Sequence, residues 1–168
     1  MADIPFHIER MESDSDVALT IKMFTAYARS LKIDLGFQDF ETELASFPAK
    51  YAPPAGVVLL ARNHCGDPLG CVAIRPLIAS CCEMKRLYVT PEGRGLGLGT
   101  ALVTAVIKEA ERIGYRTMRL DTLCTMVEAM RLYRRQGFVD IEPYYDTPIA
   151  GTVFMQRQLG PDSQLGSG

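Results

Sequence analysis

Apolar positions follow two rhythms along the chain, one alternating and one helical. "FHIERM" alternates, with Phe6, Ile8 and Arg10 on one side and His7 and Glu9 on the other, which predicts a strand. "SDSD" then offers N-cap candidates for a helix from about Val17 to Leu31, with a stripe of Val17, Ile21, Phe24, Ala28 and Leu31. After a break at "LGF", the piece "QDFETELASF" is helical up to Pro48, and "AKYAPPAG" has loop composition. "VVLLAR" and "LGCVAIRPL" form a hairpin around the turn-like "NHCGDP". "CCEMKRLYV" continues as a strand. Strict alternation would put Glu83, Lys85, Leu87 and Val89 on one face and Met84, Arg86 and Tyr88 on the other. Leu98, Ala101, Leu102, Ala105, Val106 and Ile107 mark a helix that ends near Gly114. "YRTMRLDTL" is a strand, "MVEAMRLYRRQG" a helix closed by Gly137, and "FVDIEP" and "TVFMQRQL" are final strands.

The order β-α-α-β-β-β-α-β-α-β-β, with antiparallel strands joined to βα units, predicts a mixed sheet carrying helices. With 168 residues, 48% of them hydrophobic, the chain suits one compact domain over residues 1–159, followed by a frayed tail at 160–168. A net charge of -2 gives no electrostatic reason to expect nucleic acid or an anionic membrane as partner, and Arg131, Arg134 and Arg135 read as a solvated helix face. The first residues carry acids and no apolar leader, and no run is long enough to span a bilayer, so a cytoplasmic protein is expected. Five cysteines without a scaffold rhythm read as reduced and mostly buried. His64, Cys65 and Cys71 lack a CxxC pair, and His7 is the one other histidine, so no metal site is expected.

The chemistry concentrates in "TPEGRGLGLGTALV", where a strand ends in glycines and a helix opens at once. Unpaired amides at a helix start, the helix dipole and bare backbone together suit a phosphate. The dinucleotide pattern GxGxxG fails, because its sixth position is Leu98 or Thr100; this disfavours a nicotinamide-dependent oxidoreductase. A P-loop needs GK[ST], and no lysine lies there. RxxGxG fits, as Arg94, Gly97 and Gly99.

"YVTPEGRGLGLGTALV" resembles the acetyl-CoA signature of the GCN5-related N-acetyltransferases, the GNAT superfamily, in its small stand-alone bacterial form. "AMRLYRRQGF" resembles the second signature of that superfamily, at the usual spacing. Over about Phe6 to Leu159 the resemblance implies an α/β (α+β) fold with a mixed, mostly antiparallel central sheet flanked by helices. It also implies acetyl-CoA as acyl-donor cosubstrate. Backbone groups of Leu87 and Val89 would pair with the pantetheine arm between two splayed strands. The amides of Arg94, Gly95, Leu96, Gly97, Leu98, Gly99 and Thr100, with the Arg94 side chain, would hold the pyrophosphate. Tyr133 matches the family tyrosine, the implied general acid for the departing thiolate. Glu83 stands where several relatives keep a glutamate, the implied general base. On residues alone, Tyr133 also reads as a core tyrosine and Glu83 as the partner of Lys85 or Arg119, while Asp121 is the alternative base. The Val89 N–H would donate to the oxyanion. Met126 departs from the asparagine that many relatives carry, removing one amide contact to the cofactor.

The implied function is N-acetyl transfer to a primary amine of a small molecule or peptide, by direct attack in a ternary complex. The alternative is a non-catalytic acyl-CoA-binding sensor or interaction module. In this fold the acceptor pocket is usually walled by segments corresponding to Leu31–Phe40 and Tyr144–Gly151. Asp34, Asp39, Glu41 and Asp146 there could attract a cation or be ordinary surface acids. An acyl group longer than acetyl stays open, and Cys124 is the one cysteine worth checking as an acyl carrier. Relatives are often homodimers, but no exposed stripe in the sequence marks an interface.

Overall fold

The computed structural model describes residues 5–31 and 40–160. Seven strands make one sheet: β1 (His7–Arg10), β2 (Val57–Arg62), β3 (Pro68–Ile78), β4 (Cys81–Val89), β5 (Thr117–Leu123), β6 (Val139–Ile141) and β7 (Thr152–Gln158). Their spatial order is β1-β2-β3-β4-β5-β7-β6, and only β4 and β5 run parallel. Four α-helices pack on it: α1 (Asp14–Leu31), α2 (Phe40–Ala45), α3 (Leu98–Ile113) and α4 (Val127–Arg135). The chain thus has the mixed, mostly antiparallel sheet with flanking helices that its pattern predicts.

The sheet is covered on both faces. On one, α3 and α4 close a core of Leu59, Val72, Ile74, Met84, Leu102 and Val106 with their neighbours. On the other, α1 and the turn around Tyr51 close a second core with Phe24, Leu60 and Cys71. β2 is buried on both sides, which is why it reads as an unbroken apolar run.

Two helical expectations are corrected. α1 starts at Asp14 rather than at about Val17, with its cap within "SDSD" as expected. Ser13 is the cap, its Oγ accepting from the Asp16 N–H at 3.1 Å while Asp16 Oδ2 accepts from the Ser13 N–H at 3.2 Å, a reciprocal box. The most buried line of α1 is Thr20, Met23 and Phe24; a hydroxyl can lie there because Thr20 Oγ1 donates to the Asp16 carbonyl at 2.8 Å. The segment read as loop by composition holds a short 3₁₀ turn, Ala49–Tyr51, that drives Tyr51 into the core beside Phe24 and Phe47. Most of the break at "LGF" and the tail from residue 161 lie outside the described residues.

β4 departs from strict alternation. Its register against β3 slips between Cys71 and Ala73, which face Tyr88 and Lys85. The extra residue is taken up at Arg86, whose φ is 61°. Such a bulge reverses which side each later residue faces. Cys82 and Met84 lie in the α3 core, yet so do the flanks of Leu87 and Val89, whereas Tyr88 packs in the α1 core. Glu83 therefore does not share a face with Leu87 and Val89, contrary to the alternating pattern. Gly70 and Gly93 let the backbones close where β4 ends. A Cβ on Gly70 would lie 2.7 Å from the Tyr88 carbonyl oxygen, and one on Gly93 2.6 Å from that of Leu69. Gly70→Ala is expected to lower stability by about 1–3 kcal/mol through overpacking, read as a lower denaturant midpoint with an unchanged slope.

Candidate active site

β4 and β5 pair over only three positions, Cys81 with Thr117, Cys82 with Met118 and Glu83 with Arg119. Beyond Glu83 the strands separate, and β5 continues against β7 alone. The Thr90 N–H donates to the Leu69 carbonyl at 2.9 Å. Counting back along an antiparallel ladder, Tyr88 then points its backbone groups at β3, while Leu87 and Val89 point theirs into the gap. A cleft occupies that gap, lined among others by Lys85, Leu87, Asp121, Met126, Tyr133 and Tyr145.

The glycine stretch forms one end of this region. Thr90 caps a 3₁₀ turn, Pro91–Gly93, by accepting the Gly93 N–H on Oγ1 at 3.2 Å. Gly95 and Gly97 follow with φ of 78° and 73°, a backbone that glycine takes without strain. A Cβ on either would meet nothing within 4 Å. Their bareness therefore serves the backbone turn and an open approach rather than tight packing. Gly97 stands at the N-cap of α3 with no side-chain cap, and the first loop-to-helix bond is from the Ala101 N–H to the Gly97 carbonyl. The six amides from Gly95 to Thr100 consequently have no acceptor among the described residues. The Arg94 N–H differs from the expectation, since it bonds at 3.4 Å to the Pro91 carbonyl. The Arg94 side chain is exposed and forms no ion pair among the described residues.

Leu132 and Tyr133 are the buried residues of α4. Tyr133 packs edge-on against Phe138 with centroids 5.8 Å apart, and burial raises its phenol pKa. It lines the cleft, and its hydroxyl makes no hydrogen bond among the described residues. Tyr133 is thus both a core tyrosine and a phenol facing the gap, so its two readings are not exclusive.

Glu83 is 2% exposed. Its partners are neither Lys85 nor Arg119. Arg75 contacts Oε1 with Nε at 3.1 Å and with a terminal nitrogen at 3.0 Å, and the Tyr144 hydroxyl donates to Oε2 at 2.6 Å. Asp121 is held the same way, by Lys85 Nζ at 3.4 Å on Oδ1 and by the Tyr145 hydroxyl at 2.5 Å on Oδ2. Arg119 instead donates to Gln156 and lies over the Tyr144 ring at 5.4 Å. Each carboxylate has one cation and one tyrosine. Both tyrosines come from the segment between β6 and β7, which the family resemblance marked as a pocket wall without showing these partners. Arg75 carried no motif and was found by geometry alone. Glu83, Lys85, Tyr144 and Tyr145 also line an outer pocket with Arg75 and Asp146; Lys85 and Tyr145 border both that pocket and the cleft.

The remaining expectations fall as follows. Met126 lines the cleft and accepts a long contact from Thr122 Oγ1 to its sulfur at 3.8 Å. Asp34 and Asp39 lie outside the described residues, and Glu41 and Asp146 are exposed. Cys71, Cys81 and Cys82 are buried, while Cys65 and Cys124 are exposed. No helix among the described residues is long and apolar enough to cross a membrane.

The sheet opens between two parallel strands, and the helix that follows starts with amides that have no acceptor among the described residues. The model of the acetyltransferase (GNAT) family matches residues 22–138, and the chain belongs to that family. It is 48% identical to an uncharacterised N-acetyltransferase of Schizosaccharomyces pombe over 134 residues, covering 79% of this chain and 82% of that protein. A GNAT-family acetyltransferase of Staphylococcus aureus has the same fold, with a TM-score of 0.75 at 21% identity over 92% of this chain and 99% of that one. The Salmonella typhimurium protein YncA, solved with its cofactor acetyl-CoA, matches with a TM-score of 0.68 at 21% identity over 94% and 95%. The protein is an acyltransferase.

Burial pushes the Cys71 and Cys82 thiols up to about 12, so neither presents a thiolate near neutrality. A thiol reagent at pH 8 is expected to label Cys65 and Cys124 in the native protein and all five cysteines after unfolding, counted by mass.

Proposed function

We propose that the protein transfers an acetyl group from acetyl-CoA to a primary amine of a small molecule or peptide, by direct attack within a ternary complex. One observation carries this reading: six consecutive free amides, Gly95 to Thr100, stand beside the backbone of β4 that β5 leaves unpaired. Amides of that kind suit a pyrophosphate, and the unpaired groups of Leu87 and Val89 suit an extended amide-bearing arm. Acetyl-CoA supplies a thioester that an amine can attack.

The chain's own residues supply the rest. Arg94 adds a cation next to the free amides. The Val89 N–H, aimed into the gap, donates to the carbonyl oxygen as charge builds on it. Tyr133 gives its proton to the departing thiolate; burial keeps it a phenol, so it is in the donating form at working pH. Glu83 takes the proton that the amine loses. Its charge is paired with the Arg75 guanidinium. Asp121 faces the cleft directly and is the competing base. The exposed Cys124 has no part in a direct transfer. Among solved structures of the same fold, one is titled a phosphinothricin N-acetyltransferase and another a nourseothricin acetyltransferase; at 14% and 24% identity neither carries an acceptor over to this chain.

Release of free CoA thiol is measured against a panel of amines, amino acids, peptides and aminoglycosides. Intersecting initial-velocity lines are expected; parallel lines with an acetylated Cys124 would overturn direct transfer. Tyr133→Phe is expected to lower kcat about 100-fold with the Kd for acetyl-CoA unchanged. Arg94→Ala is expected to raise that Kd about tenfold, the weight of one charge-assisted contact at an exposed site. Tight acetyl-CoA binding with no acceptor turned over would favour a sensor instead.

A further inference from the structure

Glu83 lines the outer pocket but is only 2% exposed, so it offers little surface to an amine that enters from solvent. Both oxygens of Glu83 are already taken, Oε1 by Arg75 and Oε2 by Tyr144. The Arg75 contact is an ion pair and carries no proton outward. The Tyr144 hydroxyl is different. It bonds Glu83 at 2.6 Å, and its residue is half-buried on the wall of the outer pocket, which meets the cleft at Lys85 and Tyr145. A hydroxyl can accept one proton while it gives up another.

We propose that Tyr144 is a catalytic residue: its oxygen meets the acceptor's amine and relays the amine proton to Glu83. This rests on the transferase reading above. In the step, an N–H bond of the acceptor's ammonium group breaks and its proton goes to Tyr144 Oη. At the same time the Tyr144 O–H bond breaks and its proton goes to Glu83 Oε2. The carboxylate becomes a carboxylic acid, the amine keeps the electron pair with which it attacks, and Tyr144 is neutral before and after. No oxidant or further reactant is needed.

The surroundings favour a relay over a tyrosinate base. Burial first, and then the Glu83 charge, raise the Tyr144 pKa, so the phenol does not release its proton without gaining another. Its ring is clamped by Phe154 at 5.1 Å, by Tyr145 at 5.5 Å and by the Arg119 guanidinium at 5.4 Å, all measured to ring centroids. That clamp fixes the hydroxyl on Glu83 without rotamer search. Phe at this position keeps every ring contact and removes only the oxygen.

The test compares the wild-type chain with Tyr144→Phe, Glu83→Gln and the double variant, using the amine that wild type turns over. The Kd for acetyl-CoA is measured beside kcat. Each single variant is expected to lower kcat about 100-fold with that Kd unchanged, and the double variant to fall no further, since both changes interrupt one transfer. In wild type, kcat in mixtures of light and heavy water should curve as two moving protons require, and Tyr144→Phe should abolish the curvature. A merely structural tyrosine would not change that dependence. Wild-type kcat in Tyr144→Phe, or a double variant that loses the product of both effects, overturns the relay and leaves the transferase standing. A loss confined to Tyr145→Phe overturns it too, by assigning the work to Asp121. A wild-type chain that binds acetyl-CoA and turns over no amine overturns the transferase reading and the relay together.

Discussion

The parting of β4 from β5 is the constraint on which the site depends. The two strands hold each other for only three residue pairs, ending at Glu83 and Arg119. Past that point a bulge at Arg86 twists β4 away. Unpaired strand edges inside a sheet are costly unless something else takes up their hydrogen bonds. The fold therefore leaves the backbone of Leu87 and Val89 in want of a partner, in line with the free amides of the glycine stretch.

The bulge also decides the site's chemistry. Because it reverses the alternation, the side chains before and after it serve different cores. Leu87 and Val89 pack toward α3, and Tyr88 packs toward α1. Arg86, 4% exposed, is held by Glu43 of α2 at 3.0 Å and lies over the Phe40 ring at 5.1 Å. A strained residue that is over-determined by an ion pair and an aromatic ring is a stable bend rather than a weak one. The bend thus couples α2 to the geometry of the gap.

Charge in this region is balanced by neighbouring cations. Glu83 pairs with Arg75, which it shares with Glu43, and Asp121 pairs with Lys85; each of Glu83 and Asp121 also accepts from a tyrosine hydroxyl. Buried carboxylates persist only with such partners.

Much was legible in the chain itself. Periodicity located the seven strands and four α-helices of the described residues, because burying one face imposes a period of 2 or 3.6 on the residues that form it. The glycine stretch was legible because positive φ and an uncapped helix start demand particular residues locally. Short-range rules stop at the single-residue bulge: nothing in "MKRLYV" announces that Arg86 takes φ of 61°. They also miss partners distant in sequence. Arg75 is eight residues from Glu83 and Tyr144 is 61 away, and only the pairing of β3 with β4 and the return of the chain into β7 bring the three together. The sequence by itself determined the elements, their order and the phosphate-type turn, because those follow from neighbours along the backbone. Only the tertiary structure decided which face each catalytic candidate occupies and which groups hydrogen-bond to it, because both follow from strand register and from contacts made across the sheet.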